Sequence, residues 1–72
     1  MNQTPRFHGT PEALRDFIGE TLFLARIQAD LGVTYAEIGD DIGLEYTTRR
    51  LTAYVRAALA TLKDLRKDKE AR

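Results

Sequence analysis

Four consecutive residues near the middle of the chain carry side chains suited to binding a phosphate or a nucleobase: Thr47, Thr48, Arg49 and Arg50. An arginine guanidinium can donate two hydrogen bonds to the O6 and N7 atoms of guanine, and threonine hydroxyls can donate to phosphate oxygens. If these residues open a helix, its free N–H groups add further donors for an anion. The group therefore predicts contacts with nucleic acid, to which Tyr46 would add a contact with a phosphate or a thymine methyl.

A row of basic residues continues beyond this group. Arg49, Arg56, Lys63 and Lys67 are spaced by seven, seven and four residues, which places them along one line of a helix. Such a row can follow a phosphate backbone and gain affinity by releasing counterions. The alternative is a solvated helix face kept polar for solubility, which the acidic side chains at positions 64, 68 and 70 favour.

The charge is distributed unevenly along the chain although its net value is zero, with 11 basic and 11 acidic residues. Residues 1–46 contain three arginines against eight carboxylates, a balance of −5, and residues 47–72 contain eight basic against three acidic residues, a balance of +5. This division suggests that the C-terminal third binds something acidic. Charge complementarity within the chain, or between copies of it, is the alternative.

The residue types needed for catalysis are largely missing. There is no Ser and no Cys, and His8, the single histidine, stands in a loose N-terminal segment. Asp40 and Asp41 are adjacent on a predicted helix, so their carboxylates diverge by about 100° and form no catalytic pair. We therefore expect no enzymatic activity, no metal site and no cofactor.

The chain shows no pattern for a membrane span or for export. Its longest apolar block, residues 22–25, is far shorter than the roughly 20 residues that a span requires. The N-terminal residues lack the apolar core of a signal peptide. A protein of the cytoplasm, without a membrane partner, is expected.

These side chains must be positioned by helices, since no strand pattern is present. Residues 1–9 are predicted to be a flexible arm and residues 10–72 a single helical domain. The domain starts with Thr10, Pro11 and Glu12, which combine a capping hydroxyl, a proline suited to the first helical position and a carboxylate at the positive end of the helix dipole.

The first helix is predicted over residues 11–31, with Gly32 as its left-handed C-cap. Phe23 and Ile27 lie nearly opposite its apolar side, one turn apart, with Gly19 one turn earlier. These three residues are candidates for a dimer contact, and isolated surface residues or a patch covered by the arm are the alternatives. The residues that share the core face are Leu14, Phe17, Ile18, Thr21, Leu24, Ala25, Gln28 and Leu31.

A short second helix is predicted over residues 35–42, capped by Thr34, with Gly39 giving space to a crossing helix and Gly43 ending it. Thr47 or Thr48 would then cap a long final helix that persists to about residue 69 and frays over residues 67–72. The apolar positions of that helix follow a near-heptad spacing at Leu51, Val55, Ala58, Leu62 and Leu65, with Tyr54 beside them.

The stretch from Tyr35 to Leu51 resembles the helix-turn-helix of bacterial and phage regulators, and most closely region 4 of sigma factors and related activators. The resemblance covers about 17 residues and implies a recognition helix that enters the DNA major groove. The chain departs from the pattern at Arg49, where that family usually has an apolar residue, so the turn is longer or the last helix is rotated. The matching positions are Tyr35, Glu37, Ile38, Gly39, Ile42, Gly43 and Leu44.

The sequence thus predicts an all-α, three-helix domain with a helix-turn-helix over residues 34–54 and a long C-terminal helix. The function expected first is sequence-specific binding of double-stranded DNA by a homodimeric transcriptional regulator. The alternative is a protein-binding adapter, antitoxin or inhibitor module without DNA binding. It would use an acidic edge formed by Asp40, Asp41 and Glu45, or an incompletely buried heptad seam, as its contact surface. The predicted DNA-binding residues are Tyr46, Thr47, Thr48, Arg49, Arg50, Arg56 and Lys63. The predicted dimer interface comprises Gly19, Phe23, Ile27, Leu62 and Leu65.

Overall fold

A computed structural model describes residues 10–70, which form two helices. Helix α1 spans Pro11–Ile38 and helix α2 spans Asp41–Glu70. The two helices pack along their length as an antiparallel hairpin, joined by Gly39 and Asp40. The all-α prediction is confirmed. The three-helix arrangement is not confirmed, because the described residues contain two long helices instead of one long, one short and one long.

The start of α1 agrees with the sequence prediction. The Thr10 side chain accepts a hydrogen bond from the backbone N–H of Ala13 at 3.0 Å, which satisfies one of the free donors of the first turn. Pro11 occupies the first turn and Glu12 supplies the acidic side chain near the positive end of the helix. These three residues fix where the helix begins.

The predicted end of α1 at Gly32 is wrong. Gly32 is helical and buried, and α1 continues for six residues beyond it. A Cβ atom at this position would lie 3.2 Å from Oγ1 of Thr47, so the glycine allows α2 to approach α1 closely. Thr34, expected to cap a second helix, instead donates its hydroxyl to the Asp30 carbonyl one turn earlier, at 3.4 Å.

The single turn of the hairpin lies at Gly39 and Asp40, inside the helix predicted over residues 35–42. Gly39 has φ 75°, the left-handed conformation that ends a helix most readily at glycine. The Asp40 N–H then donates to the Tyr35 carbonyl at 2.9 Å, which satisfies a carbonyl at the helix end. The Asp40 side chain accepts from the Gly43 N–H at 3.0 Å and so caps α2.

Helix α2 is continuous through the two positions where a break was predicted. Gly43 does not end a helix, because it lies in the first turn of α2, where its missing Cβ makes room for the Tyr35 ring; a Cβ there would lie 2.7 Å from that ring. Thr47 does not cap a helix either, since its hydroxyl donates to the carbonyls of Gly43 and Leu44 within α2. The far end of α2, at Glu70, agrees with the prediction.

The core between the helices is small. The buried apolar side chains are Leu14, Ala25, Ala58 and Leu65, and two threonines, Thr21 and Thr47, are buried with them. Several predicted core residues are only partly covered: Phe17, Leu24, Leu31, Val55 and Leu62 are exposed. The reason is geometric, since two helices side by side form one layer and have no second layer to cover their flanks.

Within residues 10–70, neither helix contains a stretch that is both long and apolar enough to traverse a bilayer. The predicted arm over residues 1–9, with His8, lies outside the described residues, as do residues 71–72 of the predicted frayed tail.

Candidate functional site

One flank of the hairpin carries an apolar groove between the two helices. Its volume is about 220 Å³, and both helices contribute to its walls. Leu22 and Leu62 are about half exposed, and Leu59, at 55 % exposure, is the most exposed side chain of the set. We call this surface the aliphatic groove, and its lining residues are Ile18, Leu22, Val55, Ala58, Leu59 and Leu62.

Residues on the opposite flank are more mixed in character. At about 100° per residue, Leu24 and Leu31 lie on the side of α1 away from Leu22. On α2, Tyr46 and Arg50 likewise lie on the side away from the aliphatic groove. The Arg50 guanidinium lies over the Tyr54 ring at 5.2 Å and over the Tyr46 ring at 5.8 Å, and it donates a hydrogen bond to the Tyr54 hydroxyl. This flank therefore combines apolar side chains with a charged group held by aromatic rings.

The predicted basic row is present on the outer edge of α2, opposite the buried line through Thr47 and Leu65. All four of its side chains are exposed. Within the row, Arg49 forms an ion pair with Glu45, one turn earlier, at 2.7 Å. Because both groups are exposed, this pair contributes at most about 1 kcal/mol and a competing phosphate can displace it. We call this surface the basic edge, formed by Arg49, Arg56, Lys63 and Lys67.

The structure separates the residues predicted to read DNA. Thr47 is 2 % exposed, and both its packing against Gly32 and its hydroxyl bonds keep it inside the hairpin. It is therefore unavailable to a duplex, which corrects its predicted role. Thr48 is exposed, but its neighbours Arg49 and Arg50 leave the helix in different directions, toward the basic edge and toward the two tyrosines.

The predicted dimer residues also fall on different surfaces. Gly19, Phe23 and Ile27 are exposed on the outer edge of α1, where Arg26 lies over the Phe23 ring at 5.3 Å. Leu62 lines the aliphatic groove, whereas Leu65 is buried against α1 and is a core residue of the hairpin. The five residues therefore do not form one contiguous interface.

The predicted acidic edge has structural roles near the turn. Asp40 caps α2 through the Gly43 N–H, and Asp41 adds an acidic side chain to the same first turn. Glu45 is the partner of Arg49. Since carboxylates at a helix N-terminus interact favourably with its dipole, Asp40 and Asp41 stabilise the start of α2 whatever else they bind.

The surface missed by the sequence reasoning is the aliphatic groove as a shared feature of both helices. Val55, Ala58 and Leu62 were assigned to the apolar stripe of the last helix, and Leu62 also to the predicted dimer interface. Leu22 and Leu59 were assigned to no surface. The sequence does contain a signal for this surface. Extending the Leu51–Leu65 spacing backward by four residues reaches Thr47, which indicates that the last helix starts before Thr47. The apolar content of a hairpin this long then exceeds what one helix–helix contact can bury.

In the part of the chain that the structure describes, no three Asp, Glu, His or Cys side chains gather in a group that could hold a metal ion. Comparisons with known protein families, with curated proteins and with solved structures found no match for this chain.

Proposed function

We propose that this protein is a helical association module, which binds another helical surface through the aliphatic groove. One observation carries the proposal. Among residues 10–70, four apolar side chains are buried, while thirteen large apolar side chains remain exposed. A hairpin of two helices buries too little for its size, and small domains of this kind commonly complete their core by association.

Burial of the exposed groove side chains favours association over an isolated hairpin. Full burial of one leucine side chain is worth about 1.5–3 kcal/mol, and three of the groove residues are leucines about half exposed. Covering Leu22, Leu59 and Leu62 therefore offers on the order of 3 kcal/mol from these side chains alone, before any cost of association.

Sedimentation velocity across about 1–500 µM, a range chosen to include weak interfaces, tests which surface associates. The wild-type chain is expected to form a complex, and Leu59→Glu is expected to remain a monomer because it places a carboxylate in the groove. Leu31→Glu is the matched control, since Leu31 is 43 % exposed and lies on the opposite flank of the hairpin, outside the groove. Circular dichroism of each variant establishes that the helices are retained.

The opposite pattern would refute this assignment. If Leu31→Glu prevented association while Leu59→Glu did not, the interface would be the opposite flank of the hairpin. If the wild-type chain stayed monomeric throughout, the exposed groove would not be a self-association surface.

A second candidate function is DNA binding through the basic edge, as the predicted helix-turn-helix regulator would require. The observation in its favour is a shallow depression of about 590 Å³ on α2, whose walls carry four cations and one carboxylate. Its charged residues are Arg56, Lys63, Asp64, Arg66 and Lys67. Spaced cations of this kind suit a phosphate backbone.

The helix-turn-helix form of this candidate requires a recognition helix that begins near Thr47, whereas α2 is continuous from Asp41. Contacts to phosphate need no such break in the helix. Sequence-specific reading of bases and simple phosphate contact therefore make different predictions. Specific reading predicts that Arg49→Ala and Arg50→Ala abolish sequence preference, and phosphate contact predicts that Lys63→Ala weakens binding to all duplexes equally. Electrophoretic shifts between about 50 and 200 mM salt measure both, and binding that ignored salt would exclude the basic edge.

A further inference from the structure

We infer that the occupant of the aliphatic groove is a second copy of this chain, stacked groove to groove with both hairpin turns at the same end. This inference rests on the proposed function and adds the identity of the partner and its orientation. The product is an antiparallel four-helix arrangement in which α1 of each copy lies over α2 of the other.

The register of the hairpin determines which residues lie level with one another. Thr47 lies directly opposite Gly32, and Gly43 lies directly opposite Tyr35. Residue n of α1 therefore lies at about the same height along the hairpin as residue 79 − n of α2. A two-fold axis parallel to the helices preserves these levels, so the same relation connects α1 of one copy with α2 of the second copy.

This relation matches the basic edge to the outer edge of α1, residue by residue. Lys67, Lys63 and Arg49 of the second copy fall level with Glu12, Asp16 and Asp30, so each cation meets a carboxylate. The remaining cation, Arg56, falls level with Phe23, whose ring already has Arg26 of its own copy over it. Three of the four members of the row thus meet a carboxylate.

These pairs cannot form inside one hairpin. The two outer edges face away from each other across the width of both helices, and the one ion pair seen among the described side chains is the local Arg49–Glu45 contact. In a stack of two hairpins, the outer edges of α1 and of the second copy's α2 flank the same seam. They occupy positions like those that carry interhelical ion pairs in coiled coils.

The charges also select between the two symmetric ways of stacking the same flank. With the turns at opposite ends, α1 would lie over α1 and α2 over α2. Helix α1 carries five carboxylates against two arginines, and α2 carries seven cations against five carboxylates. The opposite-end arrangement therefore places like charges together, and the same-end arrangement places unlike charges together.

The flank is large enough for a stable dimer. Helix α1 has 28 residues and is about 42 Å long, and two helices side by side are about 20 Å wide. The face therefore offers about 800 Å² per copy, which is the usual contribution of each partner to a specific interface.

Distance measurement between spin labels tests the orientation in the full chain. The chain contains no cysteine, so Ile42→Cys provides a single labelling site next to the turn, at a side chain that is 86 % exposed. Labels at the same end are expected within about 25 Å of each other, and labels at opposite ends at about 40 Å, from the helix rise and the helix spacing.

A charge exchange tests the pairing itself. Asp16→Lys and Lys63→Asp are each expected to weaken dimerisation about 5- to 30-fold, because each symmetric dimer contains two such exposed pairs. The double variant restores the wild-type dissociation constant to within about threefold. Exchange at Asp16 and Arg50 is the matched control, since Arg50 lies on the opposite flank beside Tyr46 and Tyr54, and the double variant is expected to show no restoration.

The outcomes separate this inference from the proposed function. A dimer with a short label distance and restoration by the double variant supports both. A complex that depends on Leu59 but shows labels at about 40 Å, or a mass above that of a dimer, overturns the inference and leaves the proposed function standing. A wild-type chain that remains monomeric up to about 500 µM overturns the inference, since the groove is then not a self-association surface.

Discussion

Replacing Gly39 by alanine distinguishes the hairpin from the three-helix arrangement expected from the sequence. In the hairpin, Gly39 is the C-cap of α1 with φ 75°, a conformation that costs an L-residue about 1–2 kcal/mol. In the three-helix arrangement, Gly39 lies inside a helix, where alanine is better than glycine by about 1 kcal/mol. The two structures therefore predict opposite signs for the same substitution.

The expected result is a loss of about 1 kcal/mol in the free energy of unfolding, because nothing lies within 4 Å of the added Cβ and the backbone strain acts alone. For a domain of this size, the melting temperature falls by roughly 4–8 °C. Urea titration and thermal melting followed by circular dichroism at 222 nm measure both quantities. All variants are compared at one protein concentration, since association adds to apparent stability.

Gly19→Ala is the matched control. Gly19 is helical, and a Cβ there also meets nothing within 4 Å, so alanine is expected to stabilise the protein by about 1 kcal/mol. Gly39→Asn adds a second comparison, because asparagine tolerates the left-handed conformation and should lose less than alanine. A rise in stability for Gly39→Ala as large as that for Gly19→Ala would refute the hairpin turn.

Three further substitutions, and Asp41→Ala as a comparison, test other contacts by the same urea titration. Asp40→Ala removes the cap on the Gly43 N–H and is expected to lower the free energy of unfolding by about 1 kcal/mol. Asp41→Ala is expected to lower it by less. Gly43→Ala is expected to cost about 1–3 kcal/mol through overlap with the Tyr35 ring; a neutral effect would show that the ring is free to move. Gln28→Leu is expected to add about 1 kcal/mol, because the buried Oε1 has no hydrogen-bond partner among the described residues; a loss would mean that this amide is satisfied.

The local signals that a sequence carries at helix ends were informative where several agreed. Thr10, Pro11 and Glu12 supply three independent preferences for a helix start, and α1 begins there. The spacing along the last helix identified Ala58 and Leu65 correctly as buried. Both predictions depend on a residue and its neighbours within a few turns, which the sequence contains in full.

The glycines show why the remaining boundaries could not be predicted in the same way. Gly32, Gly39 and Gly43 are the same residue type, and the sequence predicted that Gly32 and Gly43 end helices and that Gly39 gives space to a crossing helix. Gly39 ends a helix, while Gly32 leaves space for Thr47 and Gly43 leaves space for the Tyr35 ring. The difference lies in what approaches from the other helix, and a residue distant in sequence supplies that contact.

The candidate site shows the same difference between local signals and contacts made by the other helix. The basic row was predictable, because four residues at helical spacing on one helix define their own edge. The aliphatic groove was not, because Leu22 and Leu59 become neighbours only when the hairpin closes. The roles of Thr47 and Leu65 were misassigned for the same reason, since burial depends on the partner helix.

The sequence by itself determined that this chain is helical, where its first helix begins and which charges share a helix edge, because capping and periodicity act over a few residues. The tertiary structure alone decided that there are two helices, that Gly39 is the turn and that one flank remains uncovered. Those features follow from close contacts between segments far apart in the chain, and such contacts depend on the shape that both helices present to each other.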